Sequence, residues 1–243
     1  VETRFAPDAT FWSSTRLHLV PRAHQLAYVR SQEINLGVSI PDIIKEQLGN
    51  FDLAKDDSCK MILGGSYPKR DFVVQWEETN LAFVNRLTEH LGISYFFEQA
   101  QSTERIVFTD QAAGFPPTPG LATAFLTKRA EEVGIRTLER RDECVPRSFI
   151  VMDYNYRAPA ADLTASRELE GGFGGGIVEY GPHVKTIEES EAVVRARAEE
   201  QEARRVVFRG ESDLCQVTAG HRFRVEGHAR LDGLELLTVE VEH

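Results

Sequence analysis

A strand followed by a capped helix is the sequence feature that most constrains how this chain folds. Residues 72–76 are β-branched and aromatic, as in a half-buried strand, and Thr79 is a good helix N-cap. Apolar residues then recur three and four positions apart, which places them on one helix face: Leu81, Val84, Leu87 and Leu91. Gly92 stands where a left-handed C-terminal cap is wanted, so the pattern predicts a helix that ends there.

The residues after this helix predict a return strand. Residues 93–97 are too few and too aromatic for another helix, so we expect a strand that lies beside 72–76. A second helix is predicted after Ser39, where Asp42 occupies the capping-box position and Gly49 ends the pattern. Its buried face is predicted to consist of Ile40, Ile43, Ile44 and Leu48.

The second half of the chain predicts one long helix among strands. Thr186 and Glu189 stand in capping-box relation, and acidic residues precede basic ones, so a helix is predicted over 187–209. Residues 114–120 contain three prolines and predict a rigid linker at a subdomain boundary. Further strands are predicted at 1–5 with 15–21, at 137–153 with 154–156, and as consecutive antiparallel strands at 215–217, 221–225 and 237–241.

Charge and composition exclude several functional classes. The 243 residues carry a net charge of −10, so the phosphate backbone of a nucleic acid would be repelled. No apolar run approaches the roughly 20 residues that span a bilayer, and we expect neither a membrane span nor a signal peptide. Cys59, Cys144 and Cys215 are odd in number and far apart, which favours reduced core thiols over a disulfide framework or a metal site.

The candidate chemical motifs each have a simpler structural interpretation. Residues 64–68 begin like a nucleophile elbow but have proline where glycine is required. The glycine-rich segment 171–176 lacks the spacing of a phosphate-binding loop and predicts a flexible surface loop. His221, His228 and His243 have no cysteine or carboxylate at ligand spacing, which favours a polar barrel rim over a zinc site.

Two further clusters lie close in sequence to the helix predicted after Thr79. Glu77 and Glu78 precede its N-terminus, which favours charges facing the helix dipole over a general acid–base pair. Four aromatic residues could form a sugar-stacking platform, although core packing is the favoured interpretation: Trp76, Tyr95, Phe96 and Phe97. The sequence therefore predicts no catalytic residue, no cofactor-binding residue and no metal ligand.

The segment YPKRDFVVQWEETNLAFVNRLTEHLGISYFFE, which starts at Tyr67, resembles the VgrG family of type VI secretion spike-hub proteins. Members share the Tyr-Pro-x-Arg-acidic motif, the capped Leu-x-Phe-x-x-Arg-Leu helix and the Gly-Ile-x-Tyr-Phe-Phe strand. Other segments fit the family in the same order over essentially the whole chain: 16–21, 39–44, 153–159, 208–212 and 233–243. Family members have more strands before this region, and an oligosaccharide-binding-type barrel and a β-helical needle after it. We therefore expect this chain to be a piece of the hub.

The resemblance implies a β-rich α+β fold in which two tail-tube-like β-barrel domains are joined around an inserted α/β domain. The first barrel, which is incomplete, would use 1–36 and 121–146, and the insertion would be 37–120. The second barrel would be 147–243, with the long helix packed on it. Open strand edges of such barrels would be covered by missing N-terminal strands or by a neighbouring chain.

The implied function is structural and not enzymatic. By resemblance, the protein is a homotrimer that adapts a hexameric tube protein to a threefold spike, with the C-terminal spike needle and baseplate proteins as further partners and no cofactor. It would assemble in the bacterial cytoplasm and be exported through the secretion apparatus. Two alternatives stay open, namely the baseplate hub of a contractile phage tail and a carbohydrate-binding or hydrolytic effector module.

Overall fold

The fold is α+β and rich in strands, as the resemblance implies. The computed structural model describes residues 2–5, 13–55, 57–100, 103–129 and 131–242. The helices are α1 (Ile40–Gly49), α2 (Asn80–Leu91) and α3 (Ile187–Arg205), and 3₁₀ helices form at Arg22–Tyr28 and Ala112–Gly114. The strands of the described residues, in chain order, are β1 (Glu2–Phe5), β2 (Ser13–Arg16), β3 (Arg30–Asn35), β4 (Cys59–Ile62), β5 (Val73–Thr79), β6 (Ser94–Ala100), β7 (Thr103–Thr109), β8 (Thr123–Phe125), β9 (Ile135–Asp142), β10 (Pro146–Met152), β11 (Ala165–Glu168), β12 (Phe173–Tyr180), β13 (Val206–Ser212), β14 (Arg222–Glu226) and β15 (Leu234–Leu237).

These strands pair into small sheets. Three sheets have two strands, with the orders β1–β2, β3–β5 and β13–β9. Three have three strands, with the orders β4–β7–β6, β11–β10–β12 and β15–β14–β8. The predicted pairing of 1–5 with 15–21 is found between β1 and β2, although β2 ends at Arg16 and residue 1 lies outside the described residues.

Helix α2 has the predicted caps and a rotated buried face. The Thr79 side chain accepts a hydrogen bond from the Ala82 backbone N–H at 3.1 Å, and Gly92 has φ of +68°. Phe83, Val84 and Leu87 are buried, whereas the predicted members Leu81 and Leu91 are only half-buried. The face is rotated because the large Phe83 ring, which is not one of the four predicted members, fills the core.

The prediction that 93–97 returns beside 72–76 was wrong. Strand β6 pairs antiparallel with β7, and β5 pairs antiparallel with β3. Strand β7 follows β6 after two residues, and closing so short a loop loses little chain entropy. Strand β6 therefore pairs with β7 in a local hairpin, and β5 pairs with β3, which lies earlier in the chain.

Helix α1 follows the prediction closely at its start. The Ser39 side chain accepts a hydrogen bond from the Asp42 backbone N–H at 3.4 Å, and the four predicted apolar residues are all buried. At its end, Gly49 is still helical and Asn50 continues in right-handed conformation, so Gly49 is not the left-handed stop.

Helix α3 begins at the predicted cap but ends before the predicted position. The Thr186 side chain accepts a hydrogen bond from the Glu189 backbone N–H at 3.3 Å. The helix stops at Arg205, and residues 206–209 enter β13, which pairs with β9 over its whole length. Val206, Val207 and Phe208 are β-branched and aromatic, and pairing with β9 outweighs the helical pattern before them.

The glycine-rich segment is largely a strand and not a loop. Residues 173–176 belong to β12, which pairs parallel with β10 at the edge of its sheet. A Cβ atom on Gly176 would lie 2.5 Å from the Ser148 Oγ, so glycine allows close approach of the two strands. Among the other predicted strands, 154–156 and 215–217 lie in the connections between strands, and the strand predicted at 237–241 is replaced by β15.

Among the described residues, three apolar cores stabilise the fold. The first surrounds α1 and α2, the second lies between α3 and the β11–β10–β12 sheet, and the third lines β8, β9, β14 and β15. Cys59 is buried in the first core, as predicted, whereas Cys144 and Cys215 are exposed and lie in connections between strands. Among the described residues, no helix combines the length and apolarity that crossing a membrane requires.

Candidate assembly interface

The histidines considered as zinc ligands have separate structural roles. His221 is only 4% exposed, its ring packs edge-on against Phe96, and its Nδ1 lies 3.1 Å from the Ala219 carbonyl oxygen. This burial corrects the barrel-rim interpretation for His221. His228 lies in the turn before β15, and His243 is outside the described residues. Within the described ranges, no three His, Cys, Asp or Glu side chains come together as a metal site would require.

The adjacent carboxylates before α2 are held by arginines. The Glu78 carboxylate accepts a hydrogen bond from the Arg86 guanidinium at 2.6 Å, and the Arg30 guanidinium lies 3.7 Å from the Glu77 carboxylate. Glu77 has φ of +48° at a bulge, where two residues of β5 lie opposite one residue of β3. The two side chains therefore have different partners and are not arranged as a general acid and base.

The aromatic residues of the proposed sugar platform belong to two sheets. Phe96 is buried in the β4–β7–β6 sheet against Phe115 and His221, so core packing is confirmed for it. Trp76 lies in β5 and is 66% exposed, so core packing was wrong for this residue. A shared platform does not form because β5 and β6 do not pair.

The segment 64–68 is bound by a carboxylate from the end of β7. Asp110 accepts hydrogen bonds from the backbone N–H groups of Gly64 and Gly65, at 2.8 and 2.7 Å, and from the Tyr67 hydroxyl at 2.7 Å. Burial acts to raise the pKa of Asp110, but these three hydrogen bonds outweigh it and hold the pKa below its ordinary value. Burial and the Asp110 carboxylate raise the pKa of Tyr67. The segment is therefore a structural loop.

Replacing Asp110 with asparagine should lower the free energy of unfolding by about 1–3 kcal/mol at pH 7, because charged acceptors make the stronger hydrogen bonds. Since folding lowers the pKa of Asp110, its stabilising effect is present above the unfolded value of about 3.9 and is lost as pH falls through the lower folded value. Urea unfolding from pH 7 down to pH 2 should show the difference narrowing at the acid end. Asp52→Asn, at an exposed ion pair with Lys55, is the matched control, and a pH-independent difference for Asp110→Asn would contradict the assignment.

Two of the small sheets combine into one five-stranded curved sheet. A parallel bridge between Leu126 and Ile135 joins two of the small sheets, and the Thr127 backbone N–H donates to the Ile135 carbonyl oxygen at 3.1 Å. The strand order is then β13–β9–β8–β14–β15. Among the described residues, no further strand pairs with either end strand. Its two edges are therefore available to another strand.

An apolar cleft lies between the two end strands of this curved sheet. Its volume is about 410 Å³, and its lining comes mostly from β13 and from the residues of and after β15. Val207 and Phe208 are on one side and Leu236 and Val239 are on the other. An apolar interior reached between two strand edges is suited to a polypeptide strand, which could hydrogen-bond to either edge.

Helix α3 connects this half of the chain to the first core. The Arg70 guanidinium lies 3.0 Å from the Glu189 carboxylate, and both side chains are largely buried. Arg197 donates to the Glu89 carbonyl oxygen of α2 at 3.2 Å and to the Glu179 carboxylate at 2.9 Å. These charge-assisted contacts join α2, α3 and β12 at one place.

Sequence comparison identifies a matching family. The model of the family described as "Phage tail baseplate hub (GPD)" matches residues 2–243. The type VI secretion system spike protein VgrG4b of Pseudomonas aeruginosa is 28% identical, over 94% of this chain and 29% of its own length. Spike protein VgrG5 of the same organism is 29% identical, over 94% of this chain and 30% of its own length. The chain thus spans about 30% of the length of these curated relatives.

Solved structures show the same fold. The Escherichia coli c3393 protein superposes with a TM-score of 0.61 at 19% identity, over 89% of this chain and 47% of that one. It is described as a type VI secretion component with structural similarity to the T4 bacteriophage tail proteins gp27 and gp5. A tail protein from Neisseria meningitidis superposes with a TM-score of 0.60 at 11% identity, over 87% of this chain and 64% of that one.

Proposed function

This chain belongs to the phage tail baseplate hub (GPD) family, and we propose on that basis that it forms part of the structural hub of a type VI secretion spike. The sequence relatives are type VI secretion spike proteins, which favours this assignment over a phage tail. The role is that of a scaffold and not of an enzyme.

The open curved sheet is the observation that carries the proposal of an assembly. Its end strands, β13 of seven residues and β15 of four, flank an apolar cleft of about 410 Å³, and open strand edges beside apolar surface are normally covered. A neighbouring copy covers them in our proposal, and three copies close a ring. In a threefold ring, every contact joins one surface of a chain to a different surface of the neighbouring chain.

Symmetry matching is the proposed mechanism of the hub. Two similar barrels per chain, repeated three times, present six roughly equivalent positions to a hexameric tube ring. In this division the first barrel is 1–36 with 121–146, the insertion is 37–120 and the second barrel is 147–243. The ladders of β8 with β14 and of β9 with β13 then join the two barrels to each other.

The remaining partners and the location follow from the same assignment. We propose that the hub holds the spike needle on one side and contacts baseplate proteins around its rim. It assembles in the bacterial cytoplasm and leaves through the apparatus itself. No cofactor has a role in this mechanism.

The mass of the assembled full-length protein tests this function. Light scattering on the full-length protein that carries this chain is expected to give a trimer at micromolar concentration, and the trimer should co-sediment with purified hexameric tube protein. A stable monomer that ignores the tube would contradict the hub assignment and favour the binding-module alternative.

A further inference from the structure

The two-stranded β3–β5 ribbon carries large apolar side chains on its outward face, unlike an ordinary surface ribbon. The register places Glu33 opposite Gln75 on one face and Ile34 opposite Val74 on the other. Gln75 is completely buried, whereas Ile34 is 64% exposed. Glu33, Asn35 and Gln75 are therefore turned inward beside Val73, which packs on the first core, and large apolar side chains are turned outward, the opposite of what burial of apolar surface favours.

Hydrogen bonds pair the side-chain N–H₂ groups of Gln75 and Gln47 on the inward face, whereas the Gln75 Oε1, Gln47 Oε1 and Asn35 Nδ2 atoms are buried without a partner among the described residues. The Gln75 side-chain N–H₂ group donates to the Asn80 side-chain oxygen at 3.0 Å and to the Glu78 carbonyl oxygen at 3.1 Å. The Gln47 side-chain N–H₂ group donates to the Glu33 carboxylate at 2.9 Å. These contacts tie the ribbon to α1 and α2, so its outward face is held in place and is not a loosely packed segment.

The outward face carries five apolar side chains, which we call the ribbon face; four of them are exposed and Val74 is half-buried. Its members are Ile34, Leu36, Phe72, Val74 and Trp76. Phe72, Leu36 and Trp76 are 61%, 65% and 66% exposed. Since an aromatic side chain alone offers about 150–250 Å², the face leaves roughly 500 Å² of apolar surface in water, near the upper end for a monomer.

The ribbon face carries little net charge. At one end, the Arg30 guanidinium donates to the Glu77 carbonyl oxygen at 2.7 Å and lies 3.7 Å from its carboxylate. At the other end, the Asp71 carboxylate accepts hydrogen bonds from Lys185 at 2.6 Å and from Arg157 at 3.2 Å. Copies of a chain with net charge −10 repel one another, so they associate most readily where charge is locally balanced.

The size of the face also bears on what covers it. A stable interface buries about 800 Å² on each partner, and obligate assemblies of identical chains have the more apolar interfaces. Tyr28, which is 76% exposed and precedes β3, adds further aromatic surface at the Arg30 end. The ribbon face with Tyr28 thus provides most of the area that one side of such a contact needs.

We propose that the ribbon face is one half of the contact between neighbouring copies of this chain. The inference rests on the proposed function, because it assigns a surface to the ring that the function requires. Since the two halves of a threefold contact differ, the ribbon face packs against a different surface of the next copy. The ribbon is then a dedicated assembly element, built with hydrogen bonds inside and apolar contact outside.

The test is the mass of the full-length protein with a charged ribbon face. The double variant Phe72→Arg/Trp76→Arg is expected to be a monomer at micromolar concentration, where the wild type is a trimer by light scattering. The matched control is Val133→Arg, at a residue that is 66% exposed and lies outside the ribbon, and it should remain a trimer. Trp76→Phe, which keeps an aromatic ring, should also remain a trimer.

Hydroxyl-radical footprinting supplies a readout that needs no variant. Oxidation of Trp76 and Phe72 in the wild-type protein should fall several-fold between dilute monomer and assembled trimer. If the wild type is a trimer in which both residues stay equally oxidised, or if the double variant is still a trimer, the inference is overturned while the hub function stands. A wild-type protein that stays monomeric would contradict both this inference and the proposed hub function. If the double variant fails to fold, judged by circular dichroism, the wild-type footprint decides alone.

Discussion

Replacing Phe83 with alanine is expected to lower the free energy of unfolding by about 3–5 kcal/mol. The Phe83 ring is completely buried in the first core, together with Ile43, Ile44 and Phe108. Truncation leaves a cavity that α1 and α2 cannot close without losing their other contacts. A domain with a total stability of about 5–15 kcal/mol would lose a large part of it.

Urea unfolding followed by circular dichroism measures this loss, with Phe173→Ala as the matched control. The Phe173 side chain is 80% exposed on β12, so its truncation should change stability by less than about 0.5 kcal/mol. Both variants should be compared at a concentration where the wild type is a monomer, so that assembly does not contribute. Similar losses for the two variants would mean that α2 does not pack on α1 through Phe83.

Replacing Gly92 with valine is expected to lower the free energy of unfolding by about 2–5 kcal/mol. Two effects add. The backbone at φ of +68° is poorly suited to a β-branched residue, at about 1–2 kcal/mol. A Cβ atom there would also lie 2.8 Å from the Ala196 Cβ of α3, and such overpacking costs about 1–3 kcal/mol.

Gly37 separates the two effects. It has φ of +65° and nothing within 4 Å of its Cβ position, so Gly37→Val should show the backbone effect alone. Thermal unfolding of the two variants should place Gly92→Val at the lower midpoint. The double variant Gly92→Ala/Ala196→Gly should recover part of the loss of Gly92→Ala. Equal losses at the two glycines would mean that α2 and α3 are not in contact at this point.

Local patterns in the sequence predicted the helix starts because the groups that cap a helix are neighbours in the chain. Ser39, Thr79 and Thr186 each accept the hydrogen bond that their spacing indicates. The buried face of α1 was predicted for the same reason, since its periodicity is a property of ten consecutive residues. The family resemblance, and with it the β-rich α+β class, was also read from short motifs.

Contacts between distant residues could not be predicted from such patterns. The last residues of the predicted 187–209 helix enter β13 because β9, about seventy residues earlier, provides a ladder for them. Phe173 and the three glycines after it form a strand because β10 approaches them closely. In both places a partner far away in the chain decides the structure, and local pattern alone does not identify that partner.

The candidate interface shows the same division. The β-branched and aromatic residues of 72–76 predicted a strand correctly, but a strand has two faces, and this composition does not say which one is buried. Only tertiary structure decides this, because Asn80 and Gln47 supply hydrogen bonds to the polar side of the ribbon and leave Trp76 outside. Likewise, open sheet edges were expected from the resemblance, but their place at β13 and β15 depends on the bridge between Leu126 and Ile135. Local patterns predicted the three helix N-caps, the α1 face and the family, since these depend on neighbours in the chain. The pairing of strands and the choice of the outward face depend on residues that only folding brings together.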